Sequence, residues 1–159
     1  MLLVSMVWQM RSRKSLISSR LSEGDLSIMK SYISFDTGKT LEELEERVEE
    51  KSLFESHVIR SCEALRKKRL CYFNEEDLRI MILQQQSLEY LVPMALEILE
   101  QNLLAKGDYY HGDLLEAVIN VPRAFWVEHP IYREDLRELI KEKMDYFKEL
   151  LDKHMFIKG

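Results

Sequence analysis

A chain of 159 residues, 46% hydrophobic and 32% charged, has the length of one ordinary domain and enough apolar material for a sizeable core. Its net charge of −5 argues against nucleic acid as the main partner, because phosphate contacts need clustered Lys and Arg. Five glycines and three prolines are too few for the many tight turns of an all-β fold, so composition alone favours helices.

Residues 1–36 differ in character from the rest. The apolar run at residues 1–8 precedes Arg11, Arg13 and Lys14, which is the reverse of the order in a secretory signal, and it is too short to span a bilayer. It is expected to be a packed first element or a poorly ordered extension. Weak periodicity and many serines mark this segment as irregular, with one short helix around residues 23–34. The first 39 residues carry six basic and three acidic side chains, which leaves the remainder at −8. Cys62 and Cys71 sit among bulky residues in helix-forming sequence and read as reduced core or boundary thiols, in keeping with a cytoplasmic protein.

Residues 37–159 read as a single helical domain. Thr40-Leu41-Glu42-Glu43 has the form of a capping box, after which Leu41, Leu44 and Val48 share a face. Ser56 begins a helix with Val58, Ile59, Cys62 and Leu65 inward. It closes on Arg66, Lys67, Lys68 and Arg69, a solvated basic end that complements the helix dipole. Asn74 caps the next helix, with Glu75, Glu76 and Asp77 in its first turn and Leu78, Met81 and Ile82 as its buried stripe. Pro93 is expected in the first turn of a central helix that includes Met94, Leu96, Ile98, Leu99, Leu103 and Leu104 and ends at Gly107. Leu114, Leu115, Val118 and Ile119 continue the core until Pro122, and a short helical turn holds Ala124, Phe125 and Trp126. The longest periodic run, residues 133–156, places Leu136, Leu139, Ile140, Met144, Phe147, Leu150 and Leu151 at helical spacing. The expected fold is all-α, a compact bundle of about six helices behind an irregular N-terminal segment.

Little in this chain supports catalysis. The four histidines have no His, Cys or carboxylate at ligand spacing, so no metal or other cofactor is expected. No nucleophile elbow and no phosphate-cradling glycine loop is present. The loop Gly107-Asp108-Tyr109-Tyr110-His111-Gly112-Asp113 stands out instead. Tyrosines give rigid amphipathic contact area, and the aspartates put acceptors beside them. The competing structural role has Asp113 capping the next helix and one tyrosine plugging the core.

The spans Thr40-Leu41-Glu42-Glu43-Leu44-Glu45, Phe73-Asn74-Glu75-Glu76-Asp77-Leu78-Arg79, Tyr90-Leu91-Val92-Pro93-Met94-Ala95-Leu96-Glu97, the Gly-Asp-Tyr-Tyr loop and Pro122-Arg123-Ala124-Phe125-Trp126 resemble one family. It is the helical immunity proteins of bacterial contact-dependent growth inhibition systems, and the similarity runs from residue 37 to about 140. The chain departs from the family pattern at Ser87, where glycine is expected. The resemblance implies a non-enzymatic cytoplasmic protein that binds and neutralises the C-terminal toxin domain of a cognate effector. That toxin is expected to be a nuclease, with transfer RNA a common target in the family. Asp108, Tyr109, Tyr110, His111, Asp113, Glu116 and Trp126 are the expected partner-binding residues, with no membrane or direct nucleic-acid contact. A helical regulatory or adaptor protein that binds nucleic acid through the basic N-terminal segment and residues 66–69 is the alternative.

Overall fold

A computed structural model describes residues 31–47 and 56–155 of the chain. Residues 1–30, with the apolar run and most of the expected helix at 23–34, lie outside the described residues, and residues 31–34 are not helical. Seven α-helices and no strands occur among the described residues, so the fold is all-α, with one helix more than expected.

Each early helix starts where a side chain can satisfy its free amides. Helix α1 (Leu41–Glu45) has the full capping box: Thr40 Oγ1 accepts the Glu43 N–H at 3.2 Å, and the Thr40 N–H donates to Glu43 Oε2 at 2.7 Å. Helix α2 (His57–Arg66) is capped by Ser56, whose hydroxyl accepts the Ile59 N–H at 3.2 Å. A 3₁₀ turn at Leu70–Tyr72 leads to α3 (Glu75–Leu83), where Asn74 and Asp77 form a second capping box. Leu78, Met81 and Ile82 are buried as expected, whereas Val58 on α2 is 41% exposed and belongs to its outer face.

Helix α4 (Leu88–Gln101) is the apolar centre, with Leu91, Val92, Leu96 and Leu99 buried, each contributing about 1.5–3 kcal/mol. Its boundaries differ from expectation at both ends. It begins five residues ahead of Pro93, so the proline lies inside the helix, where one intrahelical bond is forgone and burial of the ring offsets the loss. It ends at Gln101 because the Asn102 side chain accepts the Leu104 N–H at 3.1 Å and offers the backbone an alternative to another turn. Leu104 is consequently 47% exposed.

Helix α3 packs against α2, α4 and α5 (Asp113–Ile119), and α4 packs against α3, α5 and α7 (Pro130–Met155). The short α6 (Arg123–Glu128) turns the chain between Pro122 and Pro130. Leu114 and Val118 are fully buried, but Ile119 is 53% exposed at the end of α5. Aromatic rings run across the α6–α7 corner: Phe125 is 4.4 Å from His129 between centroids, and His129 stacks on Tyr132 at 5.6 Å. Tyr132 in turn meets Tyr32 edge-on at 6.3 Å, Phe35 meets Tyr90 at 5.1 Å, and the Ser31 hydroxyl donates to Glu97 at 2.8 Å. The stretch ahead of α1 is thereby tied down across α4 and α7. Burial and the surrounding Asp135, Glu100, Glu97 and Glu138 carboxylates push the Tyr32 phenol up to about 12.

Helix α7 starts at Pro130, three residues earlier than expected, and proline suits a first helical position whose N–H has no partner. Its expected far end, Phe156, lies outside the described residues. Only its first half packs: Leu136 is buried and Leu139 and Ile140 are half-buried, while Met144, Phe147 and Leu151 are exposed.

Candidate partner-binding surface

Beyond Asn102 the chain doubles back before α5. Lys106 and His111 form a lone antiparallel bridge, and the Gly112 N–H donates to the Ala105 carbonyl at 3.2 Å. Gly112 has φ +94°, a left-handed value that needs glycine, and α5 begins at the next residue.

Asp113, 4% exposed, turns its carboxylate back beneath this loop. Its Oδ1 accepts the Gly107 N–H at 2.6 Å, and its Oδ2 accepts the Tyr109 N–H at 3.1 Å. From α3, Glu76 Oε2 accepts the Asp108 N–H at 2.9 Å. Arg79, one turn further along, forks onto both Glu76 oxygens at 2.7 and 2.6 Å and lies 3.8 Å from Asp113. Without the guanidinium the two carboxylates would repel across a poorly solvated gap. Glu76 is held below the usual carboxylate range, first by its bonds to Arg79 and then by the Asp108 amide, against the cost of burial. Burial pushes Asp113 up, but the Gly107, Tyr109 and Tyr110 amides and the Arg79 charge outweigh it and leave the carboxyl low. The Arg79 guanidinium is raised, chiefly by its bonds to Glu76. Gly107 allows the close approach, since a Cβ there would lie 2.5 Å from Glu76 Oε2 and 3.0 Å from Asp113 Oδ2.

With these amides bound from below, the side chains of the loop face outward. Tyr109 is 69% exposed, one face of its ring lying 4.5 Å from the Arg79 guanidinium. Tyr110 is 54% exposed, and its hydroxyl donates to Glu116 on α5, which raises the phenol pKa. Asp108, His111 and Glu116 are exposed as well, so five of the expected residues face solvent, with Tyr110 joined to Glu116. The other two do not. Asp113 is also not the expected cap: Gly112 occupies that position, and Asp113 is the first helical residue, reaching backwards. Trp126 is 9% exposed, with its indole N–H donated to the Val121 carbonyl at 3.0 Å. Neither tyrosine plugs the core.

Glu76 and Arg79 are the parts of this surface that sequence reasoning overlooks. Glu76 reads as dipole compensation at a helix start. Its bond to Asp108 spans 32 positions, and no local spacing announces it.

A second arginine-centred cluster joins α1, α2 and the start of α4. Arg66, 3% exposed, donates to Glu45 at 2.5 Å and to Ser87 Oγ at 3.3 Å, and the Ser87 hydroxyl donates to Glu45 at 2.5 Å. These groups, with Arg47, Gln85 and Gln86, line a cavity of about 450 Å³. Ser87 has φ +50°, in the left-handed region, which gives a physical reason for the glycine that the family resemblance places there. The basic run at 66–69 is therefore not one solvated end. Arg66 is turned inward because Glu45 lies within reach, and Lys68 bonds Asp77 at 2.5 Å.

Among the described residues, no group of three or more His, Cys, Asp and Glu could hold a metal ion, and no helix is long and apolar enough to cross a membrane. Cys62 is buried and Cys71 half-buried, both as reduced thiols. No curated protein and no solved structure matches the chain. The profile of one family, the CDI immunity proteins, does match, over residues 42–144, which take in α2 to α6, the clamped loop and the packed half of α7. With that match spanning well over half of its length, the chain belongs to the CDI immunity proteins of contact-dependent growth inhibition.

Proposed function

We propose that the protein binds and neutralises the C-terminal toxin domain of a cognate contact-dependent growth inhibition effector, by occlusion and without catalysing a reaction. The observation that carries this is the family match over residues 42–144. The toxin is a nuclease, with transfer RNA the first substrate to test, and the encounter takes place in the cytoplasm of the producing cell. A basic nuclease suits the charge of this chain, since the residues beyond position 39 carry −8. Opposite potentials speed encounter and select the partner.

The contact surface is the face made by Asp108, Tyr109, Tyr110, His111 and Glu116. Asp113 supports it from beneath by accepting the Gly107 and Tyr109 amides. The tyrosines supply area with a polar edge, and the clamp beneath them removes much of the ordering cost of binding. Pairing of Arg66 with Glu45 and of Lys68 with Asp77 leaves less free positive charge for the nucleic-acid alternative.

The test is co-purification with the toxin domain encoded beside this gene, followed by titration of toxin activity on transfer RNA and other nucleic acids. Stoichiometric inhibition is expected, weakened at least tenfold by Tyr109→Ala combined with Tyr110→Ala, the size of loss typical of binding hot spots. Full toxin activity at saturating amounts of this protein would sink the reading.

A further inference from the structure

The outer half of α7 carries a second surface, which the loop does not touch. Ile140, Met144, Phe147 and Leu151 follow one another at steps of four, three and four, the spacing of a coiled-coil seam. Met144, Phe147 and Leu151 are 54, 50 and 56% exposed, so among the described residues nothing covers this seam as Leu136 is covered. The family match ends at residue 144, where the helix leaves the body, and the rest of the seam lies beyond it.

The charges beside the seam identify what can lie on it. At 100° per residue, Lys141 and Lys148 line one edge and Lys143 the other, while Glu142 and Glu149 point to the far side and Asp145 lies behind Lys148. A second copy of this chain would set lysine against lysine in either orientation, parallel or antiparallel. An anionic bilayer gains little, since residues 140–151 hold equal numbers of positive and negative side chains. A helix with its own apolar ridge bordered by carboxylates satisfies both the seam and the lysines. Lys148 pairs with an exposed neighbour on its own helix, Asp145 at 3.5 Å, and such a pair is readily exchanged.

We propose that residues 140–151 of α7 form a docking surface for an acidic amphipathic helix of another protein, separate from the loop face. The probes are two synthetic amphipathic peptides with leucine and isoleucine seams, one with glutamate and one with lysine at the flanking positions. Binding to the full chain is followed by nuclear magnetic resonance shifts at low salt. The glutamate peptide is expected to bind on the order of tenfold more tightly, through several lysine–glutamate pairs. Phe147→Ser with Leu151→Ser should abolish binding, and Lys141→Glu with Lys148→Glu should reverse the preference. Both pairs alter exposed positions, so helix content and melting temperature should stay unchanged, and the loop variants should leave the peptide affinity alone. Equal affinity for the two peptides, shifts mapping away from α7, self-association through this helix in place of peptide binding, or binding to phosphatidylglycerol vesicles alone would each overturn the proposal.

Discussion

Arg79 and Arg66 are both largely buried guanidiniums held by a glutamate, yet they stabilise different things. Arg79 sits between two carboxylates, and both of these also accept loop amides. Arg66 faces a carboxylate and a serine, and the bonds among these three groups run from side chain to side chain. The first cluster therefore fixes the shape of a backbone, whereas the second pins three helices at one junction. A polar network beneath a loop can hold its exposed side chains in place without any apolar plug, so Tyr109 and Tyr110 are free to face outward.

Removing the arginines should give the sharpest contrast. Arg79→Leu leaves Glu76 and Asp113 facing each other with little solvent and should cost about 3 kcal/mol in chemical denaturation. Arg66→Leu removes the charge partner of Glu45, which keeps the Ser87 hydroxyl and some contact with water, and should cost about 1–2 kcal/mol. The reverse order would mean that Glu45, and not the Glu76–Asp113 pair, is the charge that depends more on its guanidinium.

Acid provides the next test. Glu76 and Asp113 have folded values below their ordinary ones, so the stability they contribute is present at neutral pH and is lost as pH falls through those lowered values. Hydrogen-exchange protection at Gly107 and Tyr109, corrected for the intrinsic rate, should fall in that window before that of the core amides. Asp113→Asn should flatten the dependence, and a uniform loss of protection across the molecule would count against a loop-specific clamp.

Smaller effects should separate surface from support. Tyr110→Phe should change stability by less than about 0.5 kcal/mol, because its bond to Glu116 is exposed. At Ser87, glycine should be tolerated to within about 1 kcal/mol, since relief of the left-handed backbone offsets the lost hydroxyl bonds. Alanine keeps the strain, loses the bonds and should be worse than glycine in the same melt.

Features governed by neighbours in sequence are legible from the residues alone. The caps at Thr40, Ser56 and Asn74 follow from a side chain three residues from the amide that it satisfies, and periodicity places the helices of an all-α fold. The end of α4 is legible in principle, since Asn102 is the kind of residue that competes with a helix. The interior position of Pro93 is not, because the helix gains more by burying Leu91 and Val92 than the missing bond costs. Periodicity also marks Met144, Phe147 and Leu151 as an apolar stripe, but it cannot say whether anything in the same chain reaches far enough to cover them. The candidate surface divides in the same way. Its tyrosines and exposed acids are visible as residue types, whereas the Glu76–Arg79 support exists only once α3 lies under the loop.

The strap of residues 31–35 bears on the order in which the molecule assembles. Ser31 meets Glu97 across 66 positions, and Tyr32 meets Tyr132 over a still longer separation, whereas contacts among α2 to α5 join helices one or two apart in chain order. Closing such long loops costs entropy before any contact rewards it, so the helical core should form first and the strap should dock after the rate-limiting barrier. Phe35→Ala should then hasten unfolding and leave the refolding rate almost unchanged. The strap would thus act mainly as a brake on unfolding.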